Sequence, residues 1–185
     1  MPEVNSSFSV LGRRQLLIGA AAGAAGSLCF AGNAPREAAA EILHSEEAIH
    51  QETQYKAKPS RIYEAIMDAR QFDKLTAMSP EMKAGKSLGA QATQISREVG
   101  GSFVIFGGHI LGRNVELVPN QRIVQAWRVV DWDPGHYSLA RFEISAESSG
   151  SKIVFDHTGF PKGQAEHLAS GWKSHYWEPL QEYLA

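Results

Sequence analysis

The chain has 185 residues, 43% of them apolar and 21% charged, with a formal charge of −2. That is enough for one domain and a short appendage. The acidic balance speaks against a general nucleic-acid binder, which carries a basic excess, and no uninterrupted apolar run resembles a strong membrane span, which excludes a polytopic membrane protein.

The first forty residues differ in kind from the rest. Arg13-Arg14 precede Gln15-Leu16-Leu17-Ile18, and a weakly apolar Gly/Ala stretch follows to Ala31. A paired arginine ahead of such a segment resembles a twin-arginine export signal, although Gly12 stands in place of the usual hydroxyl residue and no lysine follows the leucines. Residues 1–40 are therefore expected to be a signal and linker read by the export machinery, with residues 41–185 as the folded domain. The chain is expected in the periplasm or secreted, membrane-anchored if the signal stays uncleaved, and cytoplasmic if the signal reading fails. Cleavage is expected after Ala38-Ala39-Ala40, because Pro35 follows the alternative Gly32-Asn33-Ala34. The single cysteine, Cys29, falls inside the signal, so the mature domain needs no disulfide and offers no thiol chemistry.

In the domain, Ala48 to Ala57 alternates well enough for an edge strand. Pro59 and Ser60 open a helix whose apolar residues Ile62, Tyr63, Ile66 and Met67 recur at helical spacing, and Phe72 and Leu75 continue in a second short helix after Asp68. Thr76 to Gly89, with Pro80 and two glycines, reads as a loop. Strands are predicted over Ala92–Val99, Phe103–Ile110 and Arg113–Val118, with Gly107-Gly108 as a bulge or bend and Pro119-Asn120 as a turn. Arg122–Val130 places Ile123, Gln125, Trp127 and Val129 on one face, as a central strand would. After the turn at Asp133-Pro134-Gly135, Tyr137–Ala146 and Lys152–Thr158 form the last hairpin. Ala165, Leu168, Ala169, Trp172, Tyr176, Leu180, Tyr183 and Leu184 then lie at steps of three or four and give one broad apolar face. A helix over Gln164–Leu184 is about 30 Å long, and Pro179 should bend it near His175.

An antiparallel sheet must bury one face, and this helix is the large apolar partner available to it. The predicted fold is α+β: a curved antiparallel sheet of six or seven strands wrapped around a long C-terminal helix, with two short helices after the first strand. The wedge between sheet and helix is the expected place for a pocket.

The wording of several segments adds to this. Gly100-Gly101-Ser102-Phe103, the run FGGHILGRNVELVPNQRIVQAWR from Phe106 to Arg128, the turn Trp132-Asp133-Pro134-Gly135-His136, His157-Thr158-Gly159-Phe160-Pro161, and Gly171-Trp172-Lys173 with Tyr176-Trp177 stand in one order. Together, over roughly Glu47 to Leu184, they resemble the C-terminal domain of the activator of the 90-kDa heat-shock chaperone's ATPase, a branch of the START-like (SRPBCC, birch-pollen-allergen-like) superfamily. The resemblance implies a helix-grip fold and two partner classes: a chaperone of the 90-kDa type, or a small apolar ligand. In the eukaryotic activators a separate N-terminal domain supplies much of the stimulation, and residues 1–40 are too short to hold one.

No catalytic constellation is visible. Asp156 and His157 are strand neighbours whose side chains point to opposite faces, and His167 and His175 lie about 12 Å apart along the helix axis, too far to share a metal. No cofactor or metal site is expected, and there is no metalloprotease helix motif, phosphate loop or nucleophile elbow. The pocket candidates are His109, Trp127, Arg128, His157, Trp172 and Tyr176. Arg128 either points into the wedge, where it needs a counter-ion or an anionic ligand, or pairs with Glu116 or Glu143 on a neighbouring strand. His109 and His157 are candidates for the cavity mouth or satisfied structural histidines. Trp127 and Trp172 read as core or pocket wall. Trp177, off the main apolar face, is a candidate to cap a sheet edge or to contribute to a partner surface. The leading expectation is a non-enzymatic START-like binding domain; the alternative is an exported cyclase- or hydrolase-like enzyme that uses the same cavity.

Overall fold

The computed structural model describes residues 47–86 and 89–185. The export segment with Arg13 and Arg14 lies outside the described residues. The elements in order are strand β1 (Glu47–Tyr55), helices α1 (Pro59–Met67), α2 (Ala69–Thr76) and α3 (Pro80–Lys83), and strands β2 (Gln94–Ile95) and β3 (Ser102–Ile105). A tight turn, Phe106–Gly108, leads to β4 (Ile110–Val118), β5 (Arg122–Val129), β6 (Ser138–Glu147) and β7 (Gly150–Phe160). The chain closes with α4 (Ala165–Trp172), a π-helical turn over Lys173–Trp177, and α5 (Glu178–Leu184).

All seven strands form one antiparallel sheet in the order β1-β7-β6-β5-β4-β3-β2. Six strands follow one another as a meander, and β1 closes onto β7, which puts β5 at the centre as its two apolar faces predict. The inner face carries Ile123, Trp127, Phe142, Ile144, Ile153 and Phe155, all buried, against Trp172, Tyr176, Trp177 and Leu180 of the C-terminal helical segment. The curved sheet around that helix is the predicted helix-grip fold.

Local chemistry explains the helices. Pro59 occupies the first turn of α1, where its missing N–H is not needed. Asp68 ends α1 in extended conformation and begins α2, its carboxylate accepting the Gln71 N–H at 3.0 Å. The start of α4 is capped from across the fold: the Glu47 carboxylate of β1 accepts the N–H groups of Gly163 and Ala165 at 2.9 and 3.0 Å.

Four local expectations need correction. Thr76–Gly89 contains α3, begun by Ser79, whose hydroxyl accepts the Met82 N–H at 3.4 Å, and by Pro80. The predicted strand Ala92–Val99 shrinks to Gln94–Ile95, because the buried Asn114 amide donates to the carbonyls of Ser96 and Glu98 at 2.7 and 3.3 Å, so these carbonyls bond a side chain and not a strand ladder. The predicted strand Phe103–Ile110 breaks at Phe106–Gly108, where three successive residues adopt positive φ (51°, 65° and 97°). A Cβ on Gly107 would also meet the backbone of Gly89 within 2.6 Å, so glycine is required there on both counts. The predicted third strand, Arg113–Val118, begins earlier, at Ile110, and carries a bulge between Asn114 and Glu116. The bulge reverses the alternation, so Asn114 before it and Leu117 after it face the same side.

Candidate functional site

Two clusters meet at the C-terminal helical segment. The first is sealed. Trp172 stands at its centre, with ring centroids 4.4 Å from Phe155, 4.3 Å from Tyr176, 5.5 Å from Trp127 and 5.9 Å from the nearly parallel Trp177. His157, 0% exposed, lies against it. An indole N–H can only donate, so the 2.9 Å contact from Trp172 Nε1 makes His157 Nδ1 the acceptor and places the imidazole proton on Nε2. That proton then goes to Ser138 Oγ at 2.7 Å, and the serine hydroxyl donates onward to the Trp127 carbonyl at 2.9 Å. The chain of donors has one direction and no spare lone pair that a charged imidazolium could use. Burial accordingly pushes the His157 pKa down to about 3.

The π turn belongs to the same cluster. Its wider coil carries one residue more than an α-turn would, which rotates Trp177 from the flank of an ideal helix onto the apolar face. Trp177 is 6% exposed, packs against Phe142 and Phe155, and donates its indole N–H to Gln51 Oε1 at 2.6 Å, while Gln51 Nε2 donates to the Ala169 carbonyl at 3.0 Å. Of the two readings of Trp177, the partner surface is thereby corrected, since its ring is enclosed, and the cap on a sheet edge is the one found, because Gln51 lies on the edge strand β1. The turn also sits where Pro179 was expected to act: proline has no N–H to offer the His175 carbonyl, and the Glu178 N–H bonds instead to Lys173, five residues back.

The second cluster is open. A cavity of about 310 Å³ lies between the helical segment, β4–β5 and the Phe106–Gly108 turn. Phe106, Trp127, Trp172 and Tyr176 are the aromatic rings in its wall; His109, His167, His175 and Glu81 bring polar groups to it. Phe106 is held at φ 51°, uncommon for a side-chain-bearing residue, and its ring packs on Phe72, His175 and Tyr176 at 5.5–5.7 Å. Burial pushes the Tyr176 phenol upward, opposed by the Trp127 indole beside it. His175 is pushed down, chiefly by burial and further by His109 and His167, against the pull of Glu81, whose carboxylate lies 3.5 Å away.

Of the residues singled out from the sequence, the cavity brings together His109, Trp127, Trp172 and Tyr176. Of the two readings of His157, the structure has the satisfied structural histidine in the core and not the cavity mouth. Arg128 is corrected on both readings: it neither enters the wedge nor pairs with Glu116 or Glu143. Its guanidinium donates to the carbonyls of Val129, Val130 and Trp132 at 3.3, 3.2 and 2.5 Å and lies 5.7 Å from the Tyr137 ring centroid. Arg122 holds the two glutamates instead, at 2.8 and 2.6 Å. Asp156 points away from His157, as strand alternation requires, and binds His50 at 2.6 Å. Glu81 escaped the sequence reading although Ser79-Pro80-Glu81 is a helix-start signal. Among the described residues no group of three or more His, Cys, Asp or Glu is placed to hold a metal ion.

Comparison with known proteins gives the context. The family model described as activator of Hsp90 ATPase homolog 1-like protein matches residues 56–185. The activator of 90 kDa heat shock protein ATPase homolog 2 of Mus musculus is 29% identical over 90 residues, 49% of this chain and 27% of its own length. Homolog 1 of Homo sapiens is 26% identical over 83 residues, 45% of this chain and 25% of its own length. The matched part of this chain thus spans about a quarter of these curated relatives. Among solved structures, an HSP90 activator from Plasmodium falciparum superposes with a TM-score of 0.61 at 24% identity, covering 76% of this chain and 96% of that one. The Aha1 dimer from Colwellia psychrerythraea gives 0.57 at 17%, covering 75% and 96%. These two likenesses are of fold.

Proposed function

We propose that this chain, which belongs to the family of activator of Hsp90 ATPase homolog 1-like proteins, works as a non-enzymatic START-like binding domain holding a small apolar molecule between sheet and helix. One observation carries the reading: the aromatic-walled cavity of about 310 Å³, at the lower end of the size range of small-molecule sites. Gly171 offers a direct test, because it borders this cavity and a Cβ there meets nothing within 4 Å. The substitution Gly171→Leu fills the space while improving helix propensity. Native mass spectrometry of protein purified from its own host is expected to find a small non-covalent adduct on the wild type and none on G171L. Wild-type protein that emerges empty and binds no member of a small apolar ligand panel overturns the reading.

A second reading, contact with a chaperone of the 90-kDa heat-shock type, is favoured by the names its relatives carry. It requires the chain to change the ATPase rate of the host chaperone; an unchanged rate at saturating concentration removes it. The Arg13-Arg14 segment supports export by the twin-arginine route, which would separate the domain from a cytoplasmic chaperone. Fractionation with N-terminal sequencing decides between the compartments, with a mature start near Glu41 expected.

A further inference from the structure

On the face of the sheet turned away from the C-terminal helical segment, strand register sets six residues in two rows. Leu111, Arg128 and Tyr137 form one row, and Arg113, Ala126 and Leu139 the other. Leu139 and Tyr137 are 48% and 45% exposed, Arg113 is exposed, and Leu111, Ala126 and Arg128 are half-buried. The two arginines stand diagonally across the β4–β5 pair, about 7–8 Å apart along the backbone surface. Neither belongs to an ion pair among the described residues, whereas Arg122 and Arg141 further along the same face each hold a carboxylate. Backbone carbonyls hold them instead: Arg113 donates to Gly100 at 3.0 Å, and Arg128 donates to Val129, Val130 and Trp132 beside the Tyr137 ring. A carbonyl orients a guanidinium without cancelling its charge. Nη1 of Arg128 makes no hydrogen bond among the described residues, so an oriented pair of donors stays available.

Two ordered cations among exposed apolar side chains describe their own complement: two carboxylates at a similar separation, with apolar side chains between them. Strands β4, β5 and β6 are paired on both edges, so a partner cannot lengthen the sheet here and must lay a face on it, as a helix does. Acids at i and i+4 of a helix have Cβ atoms about 5–6 Å apart, within reach of both guanidinium groups. Two other occupants fit worse. A second copy docked through the same face would bring four arginines together. A broad anionic surface, such as a layer of lipid headgroups, would also meet the exposed Glu98, Asp131 and Asp133 in the connections beside the block.

We propose that this face docks an acidic amphipathic helix of a partner protein. Its carboxylates lie on Arg113 and Arg128, and its apolar side chains cover Ala126 and Leu139. The surface is on the other side of the sheet from the cavity and stands independently of the small-ligand reading.

The test uses the whole protein and a stapled helical peptide with glutamates at i and i+4 and leucines at i+3 and i+7. Its counterparts carry glutamine or lysine in place of the glutamates. Binding is read by titration of the Leu139 methyl resonances. The glutamate peptide is expected to bind at least about fivefold tighter than the glutamine one, the upper end for one exposed ion pair, and to lose that advantage in raised salt. Arg113→Glu should abolish the advantage and make the lysine peptide the tightest, with melting unchanged because the side chain is exposed. Leu139→Ser should weaken the glutamate and glutamine peptides alike. Equal affinity of these two for the wild type overturns the assignment, as does binding that leaves the Leu139 methyls unmoved, or no binding by any peptide. Vesicles of phosphatidylglycerol that bind wild type and not R113E, while no peptide binds, would give the face to a membrane and overturn the helix. The native adduct that tests the cavity is unaffected by any of these outcomes.

Discussion

The two sides of the C-terminal helical segment teach different things. On the side of Phe142, Phe155 and Trp177, rings interlock at 4.4–6.1 Å, and the polar atoms of His157, Ser138, Trp172 and Gln51 all have partners. On the side of Phe106 and Val129, the same helical segment borders a cavity lined by Glu81, Trp127 and His175, where Glu81 and His175 face each other at 3.5 Å without a hydrogen bond. A single amphipathic surface can close a core at one end and leave a binding space at the other, because satisfaction of polar groups, more than apolar area, separates packing from recognition.

That contrast can be broken most forcefully at Trp172. Trp172→Ala removes the shared hub of both clusters and leaves His157 Nδ1 without its donor; a loss of about 3–5 kcal/mol is expected in urea unfolding. A loss under 1 kcal/mol would mean that the sealed side does not hold the fold.

The pH response of the sealed side should be nearly as large. In the unfolded chain His157 titrates near 6.5, and in the fold near 3. Between those values the unfolded state binds a proton that the native state refuses, so the contribution is fully present above about pH 6.5 and is lost as pH falls toward 3. The slope should reach about 1.4 kcal/mol per pH unit from this residue. A series of melts from pH 7 to 4 on wild type and His157→Gln checks it; identical slopes would show that the imidazole is not the group responsible.

Gln51→Leu separates the strand clamp from the ring packing. It leaves the Trp177 N–H and the Ala169 carbonyl unpaired, and a loss of about 1–3 kcal/mol is expected. Amide exchange would sharpen the comparison if protection falls first in the π turn.

The open side should hardly respond in stability. His109 is exposed at the cavity edge, and His109→Gln is expected to stay within about 0.5 kcal/mol of wild type. A larger change in melting would show that the cavity rim also carries structural load.

Much of the architecture is legible along the chain. The alternation of Ile123, Gln125 and Trp127, the Pro119-Asn120 turn (Asn120 at φ 63°) and the three-to-four spacing of Leu168, Trp172, Tyr176 and Leu180 each report burial through a local period. The candidate site was half legible. Trp127, Trp172, Tyr176 and His109 could be named because aromatic and polar residues on those faces border the wedge. Glu81 was hidden in a stretch read as loop. Trp177 could not be decided between a sheet-edge cap and a partner surface, because a helical wheel assumes 100° per residue, which the π turn violates. Arg128 and Arg122 share one face of β5, and only the strand register shows that Arg122 is the one beside Glu116 and Glu143.

From its sequence alone this protein is bound to bury the inner face of an antiparallel meander under its last helix, since apolar periodicity is written residue by residue and water enforces it everywhere. The partner of each polar atom was decided only in three dimensions. His157 meets Trp172, Gln51 meets Trp177, and Glu81 meets His175. Hydrogen bonds depend on ångström-scale register between segments up to 126 residues apart, and no local pattern carries that information.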